Sequence, residues 1–284
     1  MTQPLISVVI PTYEMKGQGL VFLIRALESI NRQTGIDPTE LEIVISDQSD
    51  DKVIAKGLRD FASPFLIHYY PTTSKRGYAA HNLNQAIGLA KGEFVKILFQ
   101  DDVLVQTHYL ESVLTLLREQ HAVCLVTGAV HTRNGLEFEN PVVPAPNPYF
   151  LFGNNTMSSP SVLTLERAFA LAHPFDESLK MLFDCAFYYE LFASNTKLVF
   201  APELQIANGI WDGQAQHTIS FEQMTREVRY LHDRYPQANL PALLPAYQAF
   251  FKNLHPQAPF PFLTNLVPTP WERIAEWLQS HLHR

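Results

Sequence analysis

Four short apolar runs, each followed by proline or by acidic or basic residues and separated by stretches of helical spacing, constrain this chain more than any other feature. Residues 5–10, Leu-Ile-Ser-Val-Val-Ile, are rich in β-branched side chains and stop at Pro11. Their near-continuous apolarity suits a strand covered on both faces. Residues 41–46, 65–70 and 94–99 repeat the theme. Between them, residues 19–33 place Leu20, Leu23, Ile24, Leu27 and Ile30 at helical spacing. Val53, Ile54, Leu58 and Phe61 mark a short helix, and residues 79–91 carry Leu83, Ile87 and Ala90 on one face, with Gly92 as the expected C-terminal stop. The β-α-β-α-β-α-β order predicts an α/β fold: a mostly parallel, Rossmann-like sheet flanked by helices.

The second half is less regular. A helix is expected at 108–120 and a strand at 122–130. Residues 135–161 are rich in Pro, Asn and aromatic side chains and have no clear period, as long functional loops often do. Helices are expected at 163–172 and 183–194, with a short strand at 198–201. Beyond residue 217 the spacing turns helical at 221–235, 242–253 and 271–283, with proline-rich joints between the last two. Residues 1–217 are therefore expected to form one domain, and residues 218–284 a helical extension packed on it.

Composition narrows the function. The net charge is −7, from 21 basic and 28 acidic residues, which argues against a broad nucleic-acid surface. No apolar run approaches the roughly 18 residues of a spanning helix, and the N-terminus has no basic lead of a secretory signal. A cytoplasmic protein, free or peripheral to a membrane, is expected. Two cysteines, Cys124 and Cys185, can form neither a disulfide scaffold nor a four-ligand zinc site; both read as core residues. A GxGxxG turn after the first strand, a GxxxxGK[ST] loop, HExxH and GxSxG are all missing.

Ligands of open parallel sheets sit beyond the carboxyl ends of the strands. Those ends carry Pro11-Thr12-Tyr13-Glu14, Asp47-Gln48-Ser49-Asp50-Asp51, Ser74-Lys75-Arg76-Gly77 and Asp101-Asp102. Two adjacent carboxylates stay ionised most easily beside a cation, and Mg²⁺ takes one or two carboxylates plus phosphate oxygens. Asp101-Asp102 therefore reads as a metal–diphosphate site, or else as a loop or helix cap. Asp47 could accept the N3–H of a uracil ring while Tyr13 stacks on the base; a capped turn is the plain alternative. Lys75 and Arg76 either reach a diphosphate or form a solvated turn. Tyr149, Phe150 and Phe152 either line an acceptor groove or pack a loop.

The order of these pieces resembles the inverting GT-A glycosyltransferases of family 2, over roughly residues 5–217. Pro11-Thr12-Tyr13-Glu14 matches the family's P-T-Y-N, and residues 46–51 its V-D-D-G-S-x-D. Gly77 to Asn82 loosely matches G-x-x-x-A-x-N. Ala90-Lys91-Gly92-Glu93-Phe94 through Asp101-Asp102 matches A-x-G-E, an apolar run and an acid pair, and is the most specific of the set. Phe175-Asp176-Glu177-Ser178-Leu179 matches F-D-E-x-L. The resemblance implies a GT-A domain that binds a nucleotide-sugar donor, most simply a UDP-sugar, through Pro11, Thr12, Tyr13, Glu14, Asp47, Arg76, Asn82 and Asp101. It implies Mn²⁺ or Mg²⁺ on Asp102 and His217, with Asp184 as catalytic base. Asp212 is the rival to His217. The acceptor implied is a glycan or a lipid-linked molecule, in surface polysaccharide or glycoconjugate synthesis. Glu14, Ser46, His81 and Phe183 depart from the family's usual Asn, acid, Arg and acid. Those changes motivate one alternative, a non-catalytic member that binds nucleotide or a partner. A sugar-1-phosphate nucleotidyltransferase is the other, and it would want a glycine-rich loop where Pro11-Thr12-Tyr13-Glu14 stands.

Overall fold

The computed structural model describes residues 3–214 and 220–254. Strands β1 (Ile6–Thr12), β2 (Leu41–Asp47), β3 (Leu66–Pro71) and β4 (Phe94–Ile97) run parallel in the order β3-β2-β1-β4. Helices α1 (Gly19–Asn31), α2 (Val53–Gly57) and α3 (Ala79–Leu89) connect them. Every residue of β1 and β2 is buried, as expected of strands with both faces covered. Strand β1 runs through Pro11 to Thr12, one residue past its expected stop, because the missing proline N–H falls at the end of the ladder. Gly92 is not the helix stop, since Ala90 caps α3. A methyl group on Gly92 would lie 2.6 Å from the Ser7 nitrogen, so this glycine admits β1 instead.

The second half corrects two expectations. Residues 163–172 are not one helix. Leu163–Glu166 form β8, antiparallel to both β4 and β6 (Cys124–Thr132), and only α5 (Arg167–Ala172) is helical. Leu163, Thr164 and Leu165 fill a slot buried between two strands, and that position imposes extended backbone over local spacing. The expected strand at 198–201 is the first third of β9 (Leu198–Gly209), parallel to β6. Pro202 marks a register shift, not an end: Thr127 pairs with Ala201 and Gly128 with Gln205. A side chain on Gly128 would overlap the bulged Pro202 carbonyl. Strand β5 (Val103–Leu104) pairs antiparallel with the far end of β9, and β7 (Glu139–Val142) pairs with β6. This mixed half-sheet joins the parallel one through β4 and β8.

Helices α4 (Tyr109–Gln120) and α6 (Phe183–Ala193) follow the sequence pattern, as do α7 (Phe221–Arg234) and α8 (Leu240–Leu254). Val228, Leu231, Tyr235, Leu240, Leu244 and Tyr247 are buried in the same apolar core as the sheet. Phe150 stacks on Phe192 at 5.8 Å and Phe152 on Tyr247 at 4.7 Å, so this aromatic group packs the loop onto α6 and α8. Cys124 and Cys185 are buried free thiols. Among the described residues no helix is long and apolar enough to cross a membrane. The expected helix at 271–283, and His217, lie outside the described residues.

Candidate active site

The acid pair sits in a turn between β4 and β5, closed by the Asp102 N–H donating to the Phe99 carbonyl at 2.9 Å. Pairing of β5 with β9 brings Asn208 and Gly209 against it. Asp102 is 2% exposed. Its Oδ1 accepts the Gly209 N–H at 3.0 Å, and its Oδ2 accepts Ser159 Oγ at 3.0 Å and Asn208 Nδ2 at 3.1 Å. Both oxygens of Asp102 are thus taken up by the protein. Asp101 differs: its Oδ2 accepts Trp211 Nε1 at a long 3.3 Å, and the residue faces two cavities. Burial, and then the Asp102 charge, raise the Asp101 carboxyl above the usual carboxylate range. Burial also raises Asp102, opposed by its hydrogen-bond donors.

The first cavity, about 220 Å³, is lined by Pro11, Tyr13, Gln48, Asn82, Asp101 and Lys180, among others. Gln100 shapes it. Its Oε1 accepts the Tyr13 N–H at 2.9 Å and its Nε2 donates to the Tyr13 and Gly19 carbonyls at 3.0 and 2.6 Å. Tyr13 is left 41% exposed. Asn82 Nδ2 donates to the Thr12 carbonyl at 2.9 Å, while Asn82 Oδ1 is buried without a partner. Lys180 is exposed, with its ammonium 4.9 Å from the centre of the Tyr78 ring.

Other expected nucleotide contacts are turned to structural work. Asp47 Oδ1 accepts the N–H and hydroxyl of Ser49 at 2.9 and 2.6 Å, and Oδ2 accepts Tyr69 OH at 2.6 Å. Asp47 is the plain capped turn of the sequence reading, and its neighbour Gln48 is the residue that reaches the cavity. The Thr12 hydroxyl is buried and donates to the Ile10 carbonyl at 3.2 Å. Arg76 Nε donates to the Gln48 carbonyl at 3.0 Å, and its other nitrogens contact Glu14 and Asp50. Arg76 and Glu14 therefore tie the rim together, away from the cavity lining. Lys75 pairs with Glu177 at 2.7 Å, and His81 bridges Ser74 and Glu177 at 2.7 and 2.8 Å.

The second cavity, about 430 Å³, lies on the other side of Asp101 and is lined by Asp102, His131, Asn155, Asp184 and Asn208, among others. Asp184 occupies the first turn of α6, where Leu182 is the N-cap. It is not the cap of its helix. Asp184 Oδ1 accepts the Cys185 N–H at 2.6 Å and Oδ2 accepts Asn155 Nδ2 at 2.8 Å. Burial pushes its carboxyl up to about 6, against the pull of these donors. Phe183 packs edge-on against Phe175 at 6.1 Å.

Among the described residues no three His, Cys, Asp or Glu side chains converge as a ready metal site. Asp212 is exposed and does not line the cavity. The donor set fits a hard divalent ion held by one carboxylate, Asp101, with the remaining ligands from phosphate oxygens. Sequence reasoning missed Gln100, Ser159 and Lys180, and it placed Asn208 at the head of a loop, where the structure has the end of β9. Ser159 was hidden in a region without period, and Gln100 and Lys180 beside motifs that drew attention to their neighbours. A larger apolar cavity, about 530 Å³, opens between residues 146–151, α6 and the start of α8. No acid or base lines it.

The same architecture occurs in solved glycosyltransferases. S. aureus TarS 1–349 in complex with UDP-GlcNAc aligns with a TM-score of 0.60 at 19% identity, over 79% of this chain and 64% of that one. The mannosyltransferase PcManGT from Pyrobaculum calidifontis, in complex with GDP-Man and Mn²⁺, aligns with a TM-score of 0.56 at 15% identity, over 100% of this chain and 81% of that one. The aligned part of the TarS 1–349 structures is thus 64% of their length, and 39% of the longer TarS structure. No curated protein matches the chain. A parallel β3-β2-β1-β4 half joined to a mixed half at a strand-end acid pair, with these neighbours, defines the fold as GT-A. The Glycosyl transferase family 2 model matches residues 7–171, more than half of the chain, and the protein belongs to that family.

Proposed function

We propose that the protein transfers a sugar from a nucleoside-diphosphate sugar to an acceptor hydroxyl, with inversion and with help from Mn²⁺ or Mg²⁺. The observation that carries this reading is the position of Asp101, shared by a cavity suited to a nucleotide and a cavity holding the Asp184 carboxylate. In the first cavity Tyr13 offers its ring to the base, and the unpartnered Asn82 Oδ1 is a ready acceptor for a ring N–H. A UDP-sugar is the expected donor, because the small cavity favours a pyrimidine over a purine. Asn82 takes the recognition role that the sequence gave to Asp47.

Asp101, not Asp102, is the residue we assign to the metal and the diphosphate, with Lys180 as a second source of charge compensation. Asp102 instead anchors the acid-pair turn to β9. Once bound on Asp101 and the phosphate oxygens, a divalent ion would neutralise the leaving diphosphate. Asp184 is the proposed base. It accepts the proton of the acceptor hydroxyl as that oxygen bonds to the anomeric carbon. The bond to the diphosphate oxygen breaks on the opposite face, and the nucleoside diphosphate leaves with the electron pair. A carboxyl raised to about 6 is ionised at neutral pH and a better proton acceptor than an ordinary aspartate. The acceptor is a hydroxyl of a glycan or lipid-linked glycan, in surface polysaccharide or glycoconjugate synthesis.

The test is a panel of UDP- and GDP-sugars with Mn²⁺ or Mg²⁺, scored by nucleoside diphosphate release. Release from a UDP-sugar is the expected result. Pyrophosphate release would instead mark a nucleotidyltransferase, and nucleotide binding without any release would mark a non-catalytic member.

A further inference from the structure

Helix α7 lies beyond the segment that the family model matches, yet one of its side chains holds the backbone that leads to Asp184. Glu227 is 6% exposed. Its carboxylate accepts three consecutive backbone N–H groups, from Lys180 at 3.0 Å, Met181 at 3.0 Å and Leu182 at 2.9 Å. Gln223 Nε2 adds a fourth bond at 3.0 Å. Successive N–H groups leading into a helix form an anion-binding nest, and they are costly to bury unpaired. Here the nest is filled by the protein's own carboxylate, inserted from another element.

The three residues so held begin with one that lines a cavity and end two residues before another that does. Lys180 lines the nucleotide cavity, and Asp184 lines the outer cavity two residues beyond Leu182. The same segment is fixed at its start. Asp176 accepts Tyr230 OH at 2.8 Å and pairs with Arg234 at 3.4 Å, both from α7. Glu177 is held on the opposite side by Lys75, His81 and Asn84. The F-D-E-x-L segment is therefore stapled between the nucleotide half and α7, and Glu227 fixes the three residues that follow it toward Asp184.

We propose that Glu227 is a positioning residue for sugar transfer: by holding the Lys180–Leu182 backbone it sets where Lys180 meets the donor and where Asp184 meets the acceptor. The inference rests on Asp184 as the base and Lys180 as a donor contact. It gives α7 a part in the reaction beyond packing.

Three variants test it. Glu227→Ala removes every acceptor, Glu227→Gln keeps one carbonyl oxygen, and Val228→Ala cuts a fully buried side chain on the next position of α7 as a stability control. Turnover and donor KM are measured beside UDP–Mn²⁺ calorimetry and amide hydrogen exchange over residues 180–185. Glu227→Ala should lower kcat by roughly 10- to 100-fold and speed exchange at Met181 and Leu182. It should also weaken UDP binding through Lys180. Glu227→Gln, which keeps one acceptor oxygen of two, should show a smaller but clear part of each loss, and Val228→Ala should lower Tm while leaving kcat near wild type. If Glu227→Ala fails to fold, Glu227→Gln carries the comparison. Should the wild-type enzyme turn over no donor, the function above fails, while exchange and UDP affinity still read the role of Glu227. Either Glu227 variant matching Val228→Ala in kcat and UDP affinity, or unchanged exchange at Met181 and Leu182 in Glu227→Ala, overturns the proposal.

Discussion

Gly209 lies directly against Asp101: a methyl group built on its Cα would overlap the Asp101 carbonyl oxygen and sit 2.9 Å from the Asp101 Cβ. Its N–H is also the donor to Asp102 Oδ1. The end of β9 is thus the mould in which the acid pair is set, and glycine is required there by space.

Gly209→Ala should push the acid pair out of place. Overpacking of this kind costs about 1–3 kcal/mol, so a lowered Tm is expected together with loss of divalent-dependent nucleotide binding. Thermal denaturation and calorimetry with UDP and Mn²⁺ check both. A stable variant with wild-type affinity would show that β9 does not shape the site.

The two acids should separate cleanly by mutation. Asp101→Asn should abolish metal-dependent nucleotide binding and leave stability near wild type. Asp102→Ala strands the Gly209, Ser159 and Asn208 donors, and should lose about 1–3 kcal/mol of stability. Denaturant midpoints and UDP–Mn²⁺ titrations of the pair decide. The reverse pattern would return the metal to Asp102.

The pH profile should report Asp184. Below about 6 its carboxyl is protonated and cannot accept the hydroxyl proton, so kcat/KM should fall about tenfold per pH unit on the acid side. Asp184→Asn should lose that limb and at least roughly 10²-fold of the rate. An unchanged acid limb in Asp184→Asn would remove it from the base role.

Lys96 is fully buried in β4, with its ammonium donating to Tyr109 OH at 2.7 Å and to the Ser161 carbonyl. Burial lowers its pKa to about 7, opposed by the Asp102 charge. In the unfolded chain it keeps its proton up to about 10.4. Between those values the unfolded state binds more protons, so this group's contribution to stability rises from pH 7 to pH 10 and is lost as pH falls through 7. Denaturant midpoints at pH 7 and pH 9 should rise for wild type relative to Lys96→Met. Parallel pH curves for the two proteins would contradict this.

The parallel half of the fold was legible because its strands are apolar on both faces and its helices keep a 3.6-residue period. The mixed half was not. Leu163 to Leu165 carry no period that favours a strand, and only the slot between β4 and β6 makes them one. Pro202 reads locally as a terminator, while Gly128 across the ladder makes room for it as a bulge. At the site, residue type and strand-end position pointed to Tyr13 and Asp101, and the family resemblance to Asn82 and Asp184; all four line the cavities. They could not distinguish Asp101 from Asp102. That distinction depends on donors from Ser159, Asn208 and Gly209, which lie 57 to 107 residues away in sequence. The partners of Asp47 and Arg76, namely Tyr69, Glu14 and Asp50, were hidden for the same reason, since they are set by tertiary contacts.

The most direct test of the central claim is a crystal structure with an intact UDP-sugar analogue and Mn²⁺. The base should lie between Tyr13 and Asn82, the diphosphate and metal against Asp101 and Lys180, and the anomeric carbon should open toward Asp184 across the outer cavity. A nucleotide seated in the apolar cavity beside Phe150 and Phe192, or a sugar turned away from Asp184 with the metal on Asp102, would contradict it.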